Sequence, residues 1–135
     1  MTQTTFIVEQ KPLLSIISSM QPICTKRTAL DATSFLLFQI NHKEMVIKST
    51  DLEVSLQASY TLKESMIDVP ASFLVSGRRI FELLKELDGD ITFTLQDNKL
   101  FLSCGFVSLS LSTRDSHDFP PFPERIENLM QLETE

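Results

Sequence analysis

The chain has 135 residues, 42% of them hydrophobic and 22% charged, so it can bury a core and is neither disordered nor collagen-like. Three glycines make a Gly-rich phosphate loop improbable, because such a loop needs close backbone approach. The net charge of −6 is not that of a simple nucleic-acid binder, which is usually basic. Cys24 and Cys104 are too far apart for a metal motif and read as reduced, intracellular thiols. The N-terminus has no basic segment followed by a long apolar one, and no apolar run approaches the ~20 residues of a membrane span. A cytoplasmic location is expected.

Thr4–Glu9 (TTFIVE) is β-branched and aromatic and predicts a strand. Pro12 opens a helix predicted over about 11–20, with Leu13, Leu14, Ile16, Ile17 and Met20 at helical spacing. Residues 21–31 read as a loop carrying Lys26 and Arg27. Three strands follow, Ser34–Asn41, Glu44–Thr50 and Glu53–Thr61, with turns at Asn41-His42-Lys43 and Thr50-Asp51. In the third, Val54, Leu56, Ala58 and Tyr60 alternate with polar residues, which predicts one buried and one wet face.

Ser72–Ser76 predicts a strand and Gly77–Leu87 an amphipathic helix, apolar at Ile80, Phe81, Leu83, Leu84 and Leu87. Strands are expected at Asp90–Leu95, Lys99–Cys104 and Phe106–Ser112, with a tight turn at Gln96-Asp97-Asn98. From Thr113 onward, proline and charge predict a linker.

An internal repeat organises these elements. FIVEQKPLLSII (Phe6–Ile17) aligns without gaps on FLVSGRRIFELL (Phe73–Leu84), and three strands follow each copy. The expected fold class is α+β: two pseudo-symmetric βαβββ halves, with two helices packed on antiparallel sheets.

Charge is unevenly spread. Residues 10–30 hold Lys11, Lys26 and Arg27 and no acid, while the second helix holds Arg78, Arg79 and Lys85 beside Glu82 and Glu86. A weakly positive helical side on an acidic body could track phosphates without reading sequence, although ordinary solvated helix residues have the same composition. No catalytic constellation emerges. His42 sits in a turn, His117 between Ser116 and Asp118 is no triad, and Asp51 with Glu53 reads as a turn acid followed by a solvent-facing one. Two histidines and two scattered cysteines make no zinc set. Phe106 fits either a core or an exposed contact.

Five collinear segments resemble the bacterial DNA polymerase III β subunit (sliding clamp) family: FIVEQKPLLSII, Lys26–Leu30 followed by SFLLFQI, Ser49–Leu56 (STDLEVSL), VSGRRIFELLKEL, and LSLST with Asp118-Phe119-Pro120. The order holds over about residues 4–122. The resemblance implies a DNA-clamp fold and a non-catalytic role in DNA replication without a cofactor. A ring of two three-domain subunits, a homodimer, encircles double-stranded DNA and confers processivity on the polymerase. It implies residues 1–122 as the first clamp domain and 123–135 as a linker toward a second, so the chain is expected to be a fragment or a single-domain relative. Arg27 and Arg78 match DNA-facing positions of the family, and charge adds Lys26, Lys11 and Lys85. The ring-closing contact with another subunit's third domain would use the 106–112 strand and second helix, with Arg79, Lys99, Phe106 and Ser108. Some clamps carry arginines where this strand has Phe106 and Ser108, which implies a more apolar closure here. DNA polymerase III and the clamp loader would bind through domains absent from this chain. The alternative is a non-catalytic protein-interaction module on a clamp-like fold without a DNA role.

Overall fold

The first strand of each repeat joins the sheet built by the three strands that follow the other repeat's helix. This emerges from a computed structural model that describes residues 4–28, 30–62, 64–67 and 69–121. The elements in chain order are β1 (Thr4–Glu9), α1 (Gln10–Cys24), β2 (Phe35–Ile40), β3 (Glu44–Thr50), β4 (Ser55–Thr61), β5 (Glu64–Ile67), β6 (Ala71–Ser76), α2 (Gly77–Leu84), β7 (Asp90–Gln96), β8 (Lys99–Cys104) and β9 (Val107–Ser112). One sheet has the order β5-β1-β7-β8-β9 and the other β4-β3-β2-β6, all antiparallel.

The repeat is exact in register. Phe6 of β1 pairs with Phe93 of β7, and Phe73 of β6 pairs with Phe38 of β2. Both pairs stack, with ring centroids 5.1 and 5.4 Å apart. Val8 opposite Ile91 and Val75 opposite Leu36 are equivalent in the same way. These side chains join Leu13, Ile17, Met20, Ile80 and Leu84 from the helices in one buried cluster.

The helices run antiparallel, the start of each lying beside the end of the other. Two glutamines on α1 fix this. Gln10 Nε2 donates to Leu84 O (2.8 Å), joining the start of α1 to the end of α2. Gln21 Nε2 donates to Gly77 O (3.0 Å), joining the end of α1 to the start of α2. Gln10 is buried and Gln21 half-buried, so polar groups that would otherwise cost stability are satisfied.

Several expectations shift. The first helix continues beyond Met20 to Cys24 despite Pro22, because the buried stripe Leu13, Ile17, Met20 and Cys24 persists and Pro22 faces solvent. There the carbonyl that loses its donor can be hydrated. The second helix is shorter than expected, ending at Leu84, and closes with turn bonds that still bury Leu87. The third strand begins at Ser55 rather than Glu53. Val54 is exposed, and Leu56, Ala58 and Tyr60 are only half-buried, because β4 lies at a sheet edge. Strand β5 was not expected. The last strand starts at Val107, leaving Phe106 in the turn.

The predicted linker after Thr113 is also corrected as far as Pro121. Arg114 exchanges two backbone hydrogen bonds with Leu74 (3.0 Å each), Thr113 N donates to Asn98 O (2.9 Å), and Pro120 is buried. The expected linker over 123–135 lies outside the described residues. The Asp97-Asn98 turn has the double left-handed geometry of a tight hairpin, φ +50° and +62°.

Gly77 is needed where the helices cross. A Cβ there would sit 2.5 Å from Cys24 Sγ and 3.2 Å from Leu36 Cγ. Gly77→Ala is therefore expected to destabilise the fold by about 1–3 kcal/mol in urea denaturation. Adding Cys24→Ala should recover part of that loss, and simple additivity of the two changes would contradict the contact.

Candidate nucleic-acid interface

The antiparallel helix pair sorts the basic residues into two groups. Lys26 and Arg27, just past the end of α1, lie beside Arg78 at the start of α2. All three line a groove of about 520 Å³, together with the hydroxyl-bearing Thr25, Thr28 and Ser76. Lys11, at the start of α1, and Lys85, just past α2, sit at the opposite end of the helices. With 1.5 Å of rise per residue, α1 separates the two groups by about 20 Å. Between them its exposed stripe carries Ser15, Ser18 and Ser19 and no acid.

The five cations are not equivalent. Lys26 Nζ lies 3.3 Å from Asp51 Oδ2 and 3.7 Å from Glu53 Oε1. Lys85 Nζ pairs with Glu82 (3.3 Å) and lies 4.7 Å from the centre of the Phe81 ring. Arg27, Arg78 and Lys11 are exposed, and none has an ion-pair partner among the described residues. At the two arginines the positive end of the α2 dipole and the negative end of the α1 dipole meet and offset each other, so the local field is that of the side chains. Ser76 caps α2 by accepting from Arg79 N (3.3 Å).

The Thr50–Val54 turn is the scaffold under Lys26. Asp51 Oδ1 accepts from Glu53 N (2.9 Å) and Val54 N (2.7 Å). Thr50 Oγ1 accepts from Leu52 N (3.1 Å). These bonds hold Leu52 at φ +82°, a left-handed conformation that costs on the order of 1–3 kcal/mol for a residue with a side chain. The backbone amides of Val54 and Glu53, and then Lys26, hold the Asp51 carboxyl below its ordinary pKa, against an opposing effect of burial. Asp51 and Glu53 are thus a turn acid and a solvent-facing acid, as the sequence suggests.

Other reactive groups do not converge. Burial pushes the Cys24 thiol up to about 11, so it is protonated at neutral pH. The Cys104 thiol donates to Asp88 O (2.9 Å). His42 is exposed in its turn. His117 Nδ1 lies 2.7 Å from Asp115 Oδ1 on the surface, and the His117 amide and ring lower the Asp115 pKa. Among the described residues no three His, Cys, Asp or Glu side chains form a metal-binding group, and no helix is long and apolar enough to cross a membrane. A larger cleft of about 1060 Å³ lies at the far ends of β1 and β6, away from the helices. Its arginine, Arg114, is engaged by Asp31 (3.6 Å) and Asp118 (3.3 Å), so the smaller groove is the more cationic site.

The expected ring-contact residues occupy two places. Arg79 is exposed on α2. Lys99, Phe106 and Ser108 lie on the β8–β9 hairpin, whose outer strand β9 has no further strand beside it among the described residues. Gly105 at φ +61° turns the hairpin and leaves Phe106 fully exposed, at 108% of the reference area. Val107 beside it is also exposed. Sequence reasoning missed two features, the engagement of Lys26 by Asp51 and the docking of Arg114. The STDLEV stretch holds the first only as a turn signal.

Residues 4–123 match the family described as DNA polymerase III beta subunit, N-terminal domain. The chain is 25% identical over 121 residues to the beta sliding clamp of Pseudomonas aeruginosa, covering 88% of this chain and 32% of that protein. It is 26% identical over 117 residues to a Vibrio harveyi beta sliding clamp sequence, covering 85% and 79%. It thus spans about a third of the length of the Pseudomonas relative. A crystal structure of the Pseudomonas aeruginosa sliding clamp, bound to griselimycin, superposes with TM-score 0.80 at 25% identity, covering 90% of this chain and 33% of that one. The Helicobacter pylori beta clamp bound to a DNA ligase peptide shares the fold, with TM-score 0.78 at 19% identity, covering 88% and 33%.

The lowered pKa of Asp51 sets a sign for pH. Its stabilisation is complete above the ordinary carboxyl value of ~4 and disappears as pH falls through the lower folded value. Asp51→Ala should lower the urea midpoint at pH 7 more than Asp51→Asn, which keeps the Oδ1 acceptor. Both differences from wild type should shrink in acid. Differences that persist unchanged below that range would contradict the assignment.

Proposed function

The chain belongs to the family of the DNA polymerase III β subunit N-terminal domain, and on that premise we propose that it is the DNA-facing first domain of a replicative sliding clamp. In this reading residues 1–122 form one domain of a ring in which two subunits surround duplex DNA, and 123–135 lead toward a second domain. The ring tethers the polymerase and performs no chemistry itself. It works in the cytoplasm, and DNA polymerase III and the clamp loader engage it through other domains.

One observation carries the reading. Arg27 and Arg78, distant in the chain, line one groove at the end of the helix pair, free of acidic partners among the described residues. Unpaired cations can release counterions from DNA without first breaking an internal ion pair. Lys11 extends the same side. The two lysines held by acids, Lys26 and Lys85, contribute field more than contact. Contact through phosphates alone carries no sequence information, which suits sequence-independent sliding. Ring closure is assigned to Phe106 and Ser108 with Lys99 and Arg79 at the rim, a largely apolar contact supported by the exposure of Phe106 and Val107. Family membership goes with this reading and not with an interaction module lacking a DNA role.

Duplex binding by fluorescence anisotropy across a salt series tests the groove. Arg27→Ala and Arg78→Ala should each weaken binding to duplexes of any sequence and lower the log–log salt slope by about 0.9. An unchanged slope would remove that residue from the interface. Phe106→Ala should leave stability within about 0.5 kcal/mol of wild type, because the ring touches solvent. It should also weaken association with the third domain of a partner clamp subunit, measured by sedimentation. Unaltered association would exclude Phe106 from ring closure.

A further inference from the structure

The paired state of Lys26 gives Asp51 a part that its place in a turn does not require. One carboxylate divides its oxygens. Oδ1 organises its own turn through the amides of Glu53 and Val54, while Oδ2 faces Lys26 Nζ from across the fold. The Asp51 side chain is 5% exposed and Lys26 is 50% exposed, so a fixed, shielded anion grips a cation on an open loop. That loop follows α1, and its next residue is Arg27. Backbone bonds from Thr25 to Gln21 (3.0 Å) and Lys26 to Ile23 (3.4 Å) tie it to the helix, and Thr28 Oγ1 lies 2.6 Å from Thr33 Oγ1. Arg27 sits between these ties, and among the described residues no side-chain bond of its own holds it. What restrains the loop on the Arg27 side facing the groove is the bond from Lys26 to the β3–β4 turn.

We infer that Asp51 is a positioning residue for DNA contact: by holding Lys26 against the β3–β4 turn, it fixes the α1–β2 loop so that Arg27 faces the groove beside Arg78. Lys26 is then a tether and not a phosphate ligand. This deepens, and rests on, the clamp reading above. It also reverses a simple electrostatic expectation. Asp51 is an acid beside a DNA-facing groove, so its field alone opposes binding, whereas its positioning role favours binding.

The test uses the chain with Asp51→Asn, Lys26→Met and, as a control on the reading itself, Arg27→Ala. Asp51→Asn retains an Oδ1 acceptor for the turn, and Lys26→Met retains the apolar stem. In the free chain, 15N relaxation should show the amides of Arg27 and Thr28 ordered in wild type. In both tether variants their order parameters should fall toward the flexible range, below about 0.6. Unchanged order in both variants would overturn the proposal. On duplex DNA, Asp51→Asn should weaken binding about threefold, the scale of one exposed ion pair, although it removes a negative charge. Tighter binding would overturn the positioning role. Lys26→Met should weaken binding to a similar degree with the salt slope intact. A slope lower by about 0.9 would make Lys26 a phosphate contact and overturn the tether. If Arg27→Ala matches wild type, or wild type ignores DNA, the clamp reading of this groove fails. The relaxation data then decide separately whether Asp51 holds the loop.

Discussion

Each half of the chain lends its opening strand to the other half's sheet, and the rest of the molecule depends on that exchange. β1 completes the sheet of β7, β8 and β9, while β6 completes the sheet of β2, β3 and β4. The two stacked phenylalanine pairs sit at equivalent points of the two joints. Neither half can bury its core without the other, so the repeat folds as one cooperative unit. The same pseudo-twofold repeat sets the helices antiparallel, with the end of one beside the start of the other.

The helix arrangement in turn sets the electrostatics. Net charge is −6, yet the helix side gathers arginines at one end and a lysine at the other that have no ion-pair partner among the described residues. Counting cations overstates such a surface. Lys26 and Lys85 are engaged with acids at 3.3 Å, and moving either to a phosphate would exchange one ion pair for another. Arg27 and Arg78 face no such cost. Their bidentate geometry also suits phosphate better than a lysine does.

Sheet edges tell a second story. The edge of β6 is covered at Leu74 by Arg114, and β4 is polar on much of its exposed surface. Among the described residues the β9 edge has no pairing strand, and a fully exposed phenylalanine stands at its end. Exposed edges invite pairing with another chain, and an aromatic side chain at the tip would anchor it. In the ring proposed above, a partner subunit covers that edge and Phe106 meets it as an apolar contact.

Local periodicity made much of this legible before any coordinates. The helical stripe from Leu13 to Met20, the strands on either side of each turn, the Asp97-Asn98 hairpin and the repeat of Phe6–Ile17 at Phe73–Leu84 follow from residue spacing, which depends only on near neighbours along the chain. The cations of the interface were legible as residues, but not their states. Whether Lys26 reaches a phosphate or Asp51, whether Pro22 ends a helix, and whether Arg114 belongs to a tail or to a sheet all turn on distant groups. Those groups meet only once β1 and β6 have crossed to the opposite sheets. Side-chain pattern specifies which face of an element is apolar. It does not specify which element that face will meet, because strand pairing and ion pairing are decided by proximity in space, and proximity is a property of the whole fold.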